Sequence, residues 1–360
     1  MKQGLFIAST GQNMGKTTCT LGLFAALSKR FQKVSYLKPV GQEYVTMDNG
    51  MRVDKDVLLF KNHFCLNASL ESMSPLVIPP RFTRSYLDGN VDTEMLFKKL
   101  MESFEQEQDF ITVEGSGHVG VGSVLGINNA EVARRLNLPI VIIAPGGIGS
   151  TFDLLSLNLS LCEQVGAKVI GVILNKVIPE KLEEISTYMA KALERYHLPL
   201  LGAIPYNAIL ATPTLRDFEQ LFDTKLLSGE DKGLACYPEI RMIATSNDVY
   251  EKSLRSELII THTTREDIVL TAINGHRNGG HNIAILLTGK TPMRQPILDQ
   301  IKGANIPCLF TASESFEVMK KISGFIAKIS AQDSEKINEA IQVVERSVDF
   351  NTLLQKASNA

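Results

Sequence analysis

Residues 4–18, GLFIASTGQNMGKTT, decide how the chain is to be read. Gly4 to Ala8 is a short apolar run, the pattern of a buried strand. Thr10-Gly11-Gln12-Asn13-Met14-Gly15-Lys16-Thr17 follows it, and residues 18–31, TCTLGLFAALSKRF, then carry apolar side chains at helical spacing. Strand, small-residue loop and helix in that order form a phosphate-binding context. The loop N–H groups point at phosphate oxygens, and the helix start adds its own unpaired N–H groups and positive dipole end. Lys16 then reaches the β- and γ-phosphates, the Thr17 hydroxyl ligates Mg²⁺, and the loop from Thr10 to Thr18 holds the nucleotide. Thr10 stands where the pattern G-x-x-x-x-G-K-[ST] has its first Gly. A turn elsewhere must open the loop, with Gly11 the nearest candidate.

The chain has 360 residues and a formal net charge of −2, a length that suggests about two domains. A charge so near neutral gives no support for nucleic-acid binding. Cys19, Cys65, Cys162, Cys236 and Cys308 are scattered and form no C-x-x-C, so they read as small thiols rather than a disulfide framework or thiolate metal site. The chain enters its first strand without a basic leader and apolar segment, and no stretch reaches 18 apolar residues, so the expectation is a cytoplasmic protein that does not span a membrane.

Beyond the first helix the strand-then-loop pattern recurs. Val34 to Leu37 is a strand, and Lys38-Pro39 ends it. Asp54 and Asp56 precede an apolar run. Mg²⁺ takes one or two carboxylates and keeps several waters, so Asp56 is the preferred ligand and Asp54 the second choice. Residues 72–90, with Pro75, Pro79, Pro80 and Asp88-Gly89, read as a long loop or lid. Its Arg81 and Arg84 are candidates for an anionic ligand or form a solvated basic patch. Helix signals resume at 92–107. FITVE (110–114) is a buried strand ending in Glu114, followed by Gly115-Ser116-Gly117-His118. An acid at that position suits a Mg²⁺–phosphate unit, and His118 is a candidate donor or proton shuttle.

Residues 128–138 read as a helix, 139–147 as a strand, and STFDLLSLNLSLCEQVG as a helix with Ser150 or Thr151 near its cap. Residues 167–177 form a strand ending at Asn175-Lys176. A helix with Pro179 near its start and a last strand at 198–207 complete the series. Such regular alternation predicts an α/β fold, a mostly parallel sheet covered by helices on both faces. Lys38, Glu114 and Asn175 all follow strands, so they share the ligand-binding edge with the first loop.

On these segments the first 210 residues resemble dethiobiotin synthetase and its relatives among P-loop NTPase-fold synthetases and amidotransferases. The resemblance is closer still to the dethiobiotin-synthetase-like N-terminal region of long phosphate acetyltransferases. It is carried by TGQNMGKTT, KPVGQ, RVDKDVLLFKN, SPLVIPPRFTRSYLDG, VEGSGHVGVGSVLGINNAEVARRL, GGIGSTFD and GVILNKVIPEK. The resemblance implies ATP and Mg²⁺ as cofactors, with Lys16 on the phosphates and Thr17, Asp56 and Glu114 on the metal. It implies a role for Lys38 at the substrate and the transferred phosphoryl group, so that Lys16, Lys38 and Glu114 form the catalytic set. It places Asn175, of the Asn175-Lys176 pair, at the adenine. The loop opening Thr10-Gly11-Gln12, the run Lys38-Pro39-Val40-Gly41-Gln42-Glu43 and the run Glu114-Gly115-Ser116-Gly117-His118 depart from the synthetase pattern. The nucleotide site therefore carries over and the synthetase's own substrate specificity does not. The resembled synthetases work as dimers, so a homodimer is expected. The acetyltransferase catalytic domain is not expected in the 150 residues after position 210.

Residues 211–245 read as a boundary region with one helix, LRDFEQLF. Three strand–turn–helix units follow, at 256–273, 281–301 and 305–325. Thr264 is a helix cap there, with Asp267 at the capping-box position. This second, smaller α/β domain, assigned 246–345, resembles the DRTGG domain without its literal string. Residues His276 to His281 read as a surface loop, and 346–360 as a polar tail after an amphipathic helix. The fragments 1–210 and 246–345 are each expected to fold alone. Two functions follow: an ATP-dependent synthetase or ligase acting on a small carboxylate or amine, and a nucleotide-responsive regulator with an acetyltransferase-related protein partner.

Overall fold

The structure is a computed structural model that describes residues 3–104 and 108–360. It divides into two compact units, Met1–Asn207 with Ile329–Ala360, and Ala208–Lys328.

The first unit is built on a six-stranded sheet. Its strands are β1 (Gln3–Ser9), β2 (Val34–Leu37), β3 (Phe110–Glu114), β4 (Ile140–Pro145), β5 (Val169–Val177) and β6 (Leu200–Pro205). They lie in the order β6-β5-β4-β1-β3-β2, every pairing parallel. Strand β1 is central because almost every residue in it is apolar and buried, as a strand covered on both faces requires. Leaving β1, the chain has neighbours on either side that come from later strands, so the crevice beyond its carboxyl end is a topological switch point. The first loop sits there.

The helix after that loop, Lys16–Ser28, is buried from Cys19 to Leu27. A helix apolar all round needs cover on both sides. One side meets the sheet. The other meets the helix Ser334–Ser347, which arrives from the far end of the chain. Gly22 makes the approach feasible, since a Cβ there would lie 2.3 Å from Val344 Cβ. At Gly202 of β6 a Cβ would lie 2.3 Å from the Ser347 carbonyl oxygen, and the Asp349 N–H donates to Leu201 O at 2.8 Å. The last helix, Phe350–Ser358, buries Leu353 against β-strand side chains such as Leu5 and Ile170.

This arrangement differs from the sequence-based boundaries. Residues 346–360 are not a fraying tail, because Val348, Phe350 and Leu353 complete a core. Residues 208–328 are an insertion within the first unit's sequence. Gly22→Val is expected to lower stability by about 1–3 kcal/mol, the usual cost of overpacking, with wild-type nucleotide affinity retained. A thermal melt with unchanged midpoint would contradict the packing argument.

The second unit holds a four-stranded parallel sheet in sequential order, β7 (Ile240–Met242), β8 (Glu257–His262), β9 (Ile283–Thr288) and β10 (Cys308–Thr311). Its three strand–helix repeats fall where the sequence places them. Residues 211–245 belong to this unit as the helix Leu215–Phe222 and the edge strand β7, rather than as a linker. Helix 266–279 begins at Glu266 with Arg265 as its cap, and no side chain caps it. Thr264 instead pairs its hydroxyl with His262 Nδ1 at 2.8 Å, and Asp267 accepts from the Arg265 guanidinium at 2.9 Å. His276 lies in that helix and not in a loop.

Among the described residues no helix is long and apolar enough to cross a membrane. The helix signal at 92–107 is a helix over Thr93–Phe104, and 105–107 lie outside the described residues.

Candidate functional site

The site collects at the carboxyl ends of β1, β2 and β3. In the loop after β1 the left-handed residues are Asn13 (φ 61°) and Gly15 (φ 83°), and Gly11 is not among them. The turn that accommodates Thr10 therefore falls later in the loop than expected. Thr10 itself is buried, its N–H held by Ile143 O at 3.0 Å. Gly15 is required for space as well as conformation, because a Cβ would lie 2.1 Å from Asn175 Nδ2.

Strand β5 clamps the loop from the side. Asn175 Nδ2 donates to Met14 O at 2.9 Å, and Lys176 Nζ donates to Asn13 O at 3.0 Å. Asn175 is thus engaged with the loop backbone. Lys16 Nζ donates to Ser9 Oγ at 2.9 Å and to Gly117 O at 2.7 Å, which ties the first loop to the segment after β3. Asn158 bridges the same two loops, donating to Thr10 O at 3.4 Å and accepting from Val119 N–H at 3.1 Å. Asn129 Nδ2 donates to the carbonyls of Ser116 and His118.

The carboxylates converge beside Thr17. Its hydroxyl donates to Glu114 Oε1 at 3.0 Å. Lys38 Nζ lies 2.8 Å from that same oxygen and 2.7 Å from Asp56 Oδ2. Tyr36 OH donates to Glu114 Oε2 at 3.2 Å, so both oxygens of this fully buried acid are engaged. Burial pushes the Glu114 carboxyl above the usual range, while the Lys38 ammonium pulls it back. Burial works against a charged Lys38, but Asp56 and Glu114 overcome it and hold the ammonium well above the ordinary lysine range.

The two aspartates separate cleanly. Asp54 caps the helix Lys55–His63, accepting from Asp56 N–H at 3.0 Å, and also accepts from Gln42 N–H at 3.2 Å. Burial, opposed by Lys38, raises its carboxyl to about 6. Asp56, one residue into the helix, is the acid that faces Lys38. Arg81 and Arg84 are exposed on the segment around the helix Phe82–Leu87, and His118 is exposed with its Nδ1 accepting from Gly120 N–H.

These groups suit a hard divalent cation. The Thr17 proton is committed to Glu114, which leaves the hydroxyl lone pairs for a metal, and Asp56 and Glu114 share one ammonium and hence one neighbourhood. Among the described residues no group of three or more His, Cys, Asp or Glu gathers into a metal cluster. One or two carboxylates completed by phosphate oxygens and water is the Mg²⁺ pattern.

Sequence reasoning passed over Ser9, Tyr36, Asn129 and Asn158. Tyr36 was legible in principle: it lies two residues before Lys38 in an extended segment, so both point to one face, and a buried tyrosine hydroxyl needs a partner.

A family model for an AAA domain matches residues 3–214, and a model for a DRTGG domain matches 219–325. Phosphate acetyltransferase of Synechocystis sp. is 26% identical over 369 residues, covering 98% of this chain and 52% of that protein. The Pseudomonas aeruginosa phosphate acetyltransferase is 26% identical over 375 residues, 98% of this chain and 51% of that protein. This chain therefore spans about half the length of the curated relatives it matches. Among solved structures, cobyrinic acid a,c-diamide synthase from Mycobacterium smegmatis with bound ADP and magnesium aligns over 57% of this chain and 87% of its own, at 16% identity and a TM-score of 0.38. With a dethiobiotin-synthetase-like P-loop domain followed by a DRTGG domain, as in the N-terminal region of long phosphate acetyltransferases, the chain belongs to the AAA domain family whose model covers residues 3–214.

Proposed function

We propose that the protein binds Mg²⁺-ATP and transfers its γ-phosphoryl group to a small carboxylate, as a synthetase does. The observation that carries this reading is the meeting of Lys16, Thr17, Lys38, Asp56 and Glu114 at one sheet edge. Thr17, Asp56 and Glu114 would hold the cation, which when bound neutralises charge on the β- and γ-phosphates. Lys16, freed from Ser9 and Gly117, offers its ammonium to the same oxygens. The loop N–H groups orient the triphosphate, and Lys38 stabilises charge on the group in transit. A substrate carboxylate oxygen bonds to the γ-phosphorus as the bond to the β–γ bridging oxygen breaks and ADP leaves. An amine then displaces phosphate from the acyl phosphate. No side-chain nucleophile is needed.

The test is ADP and phosphate release, measured with ATP alone and with a panel of small carboxylates and amines. Asp56→Ala and Glu114→Ala should each lower Mg²⁺-dependent turnover by about a hundredfold or more, in line with loss of a transition-state charge stabiliser, and should impair metal-free nucleotide binding less. Equal losses with and without Mg²⁺ would remove both acids from the metal's surroundings.

A second reading is favoured by the length of the match, since 98% of the chain aligns with proteins named for acetyl transfer to phosphate. Here the protein senses ATP and signals through residues 208–328, as a homodimer or with an acetyltransferase-related partner. Coupling is reciprocal, so ATP must then change the second unit's behaviour by the same free energy with which that unit changes ATP affinity. Hydrogen exchange in 208–328 that is identical with and without Mg²⁺-ATP rejects the sensor.

A further inference from the structure

Lys38 stands between the two acids that a cation would use. Its Nζ is 2.7 Å from Asp56 Oδ2 and 2.8 Å from Glu114 Oε1, and its side chain is only 5% exposed. Glu114 Oε1 also accepts the Thr17 hydroxyl. One oxygen thus receives Thr17 and Lys38 together, beside the hydroxyl that would ligate a divalent ion. Mg²⁺ bonds oxygen at about 2.1 Å, and in so buried a place an ammonium and a divalent cation on the same oxygens repel strongly. They exclude each other.

We propose that Lys38 is a resident counter-ion that closes the cation seat until a nucleoside triphosphate enters. The inference rests on the reading of Thr17, Asp56 and Glu114 as cation ligands. Without nucleotide, Lys38 neutralises one of the two carboxylate charges and keeps free divalent ions out. An incoming triphosphate offers the ammonium new oxygens. Lys38 then leaves Asp56 and Glu114 for the phosphate, and the seat opens to the ion that travels with the nucleotide. Cation and nucleotide therefore bind with positive coupling. The same displacement moves Lys38 to the phosphoryl group, so one side chain reports that the nucleotide is present and then acts on it.

The test is Mn²⁺ binding to the full, nucleotide-free chain, read by electron paramagnetic resonance. Lys38→Met should tighten Mn²⁺ binding about tenfold or more, because removing the ammonium makes the surroundings of Asp56 and Glu114 more negative and more attractive to a divalent ion. Lys38→Arg should stay as weak as the wild type. Adding Asp56→Asn to Lys38→Met should abolish the gain. Lys38→Gln, which keeps a hydrogen-bonding head without charge, carries the same expectation if the Met variant melts too readily. Equal Mn²⁺ affinity in the wild type and in a folded neutral variant overturns the proposal, as does tightening by Lys38→Arg as large as by Lys38→Met. Calorimetry with Mg²⁺-ATP separates the two readings. Normal ATP binding without a Mn²⁺ gain rejects the counter-ion alone, whereas a Mn²⁺ gain in a protein that binds no ATP rejects the nucleotide reading and keeps the counter-ion.

Discussion

Lys16→Ala is expected to weaken Mg²⁺-ATP binding about a hundredfold while the chain stays folded. The factor corresponds to about 2.7 kcal/mol, within the range for charged hydrogen bonds. Lys16 is nine-tenths buried, and its ammonium donates to Ser9 Oγ and Gly117 O. Ser9 ends β1 and Gly117 lies on the loop after β3, both beside the first loop, so the same ammonium can turn to phosphate oxygens over a short distance. The cost to folding is smaller, since the Ser9 hydroxyl and the Gly117 carbonyl are neutral and Ser9 Oγ also lies within hydrogen-bonding distance of Gly11 O and Gly117 O. Isothermal titration calorimetry reads the affinity and a thermal melt reads the fold. Unchanged affinity in a folded variant would remove Lys16 from the phosphate site.

A chain ending at Lys328 is expected to lose the fold of its nucleotide-binding unit. Truncation there deletes Val344, Val348, Phe350 and Leu353, all buried in one core with Leu5, Ile7, Cys19 and Leu23. At about 1.5–3 kcal/mol for each large buried side chain, the loss is about 6–12 kcal/mol, comparable with the whole stability of a domain. The fragment 1–210 suffers the same loss and should neither melt cooperatively nor bind ATP. Joining 1–207 to 329–360 through a flexible Gly/Ser linker should restore both. Its ATP affinity, set against that of the full chain, also gives the contribution of the inserted unit. Cooperative melting of 1–210 at the full chain's midpoint would show that the C-terminal helices are dispensable.

The parallel α/β architecture and the phosphate-binding loop were legible in the sequence because they are local. An apolar run, small residues and a helical period over residues 4–31 specify strand, loop and helix without reference to the rest of the chain. Strand-end positions of Lys38 and Glu114 were legible for a similar reason: in a parallel sheet every carboxyl end faces one edge, so position along a strand predicts position in the site. Only the tertiary structure shows how the surroundings of Asp54 and Asp56 differ. Asp54 precedes the helix Lys55–His63 and folds back to cap it, whereas Asp56 lies in its first turn and faces Lys38. The cover over the helix Lys16–Ser28 was equally out of reach. Its all-round apolar sequence demanded a second partner, yet that partner lies more than 300 residues away in sequence, beyond an inserted unit that reads as an ordinary C-terminal domain. Local sequence specifies what each segment needs to bury, whereas which distant segment supplies the cover depends on close approach, here at Gly22 and Gly202, and that is settled only when the chain is packed.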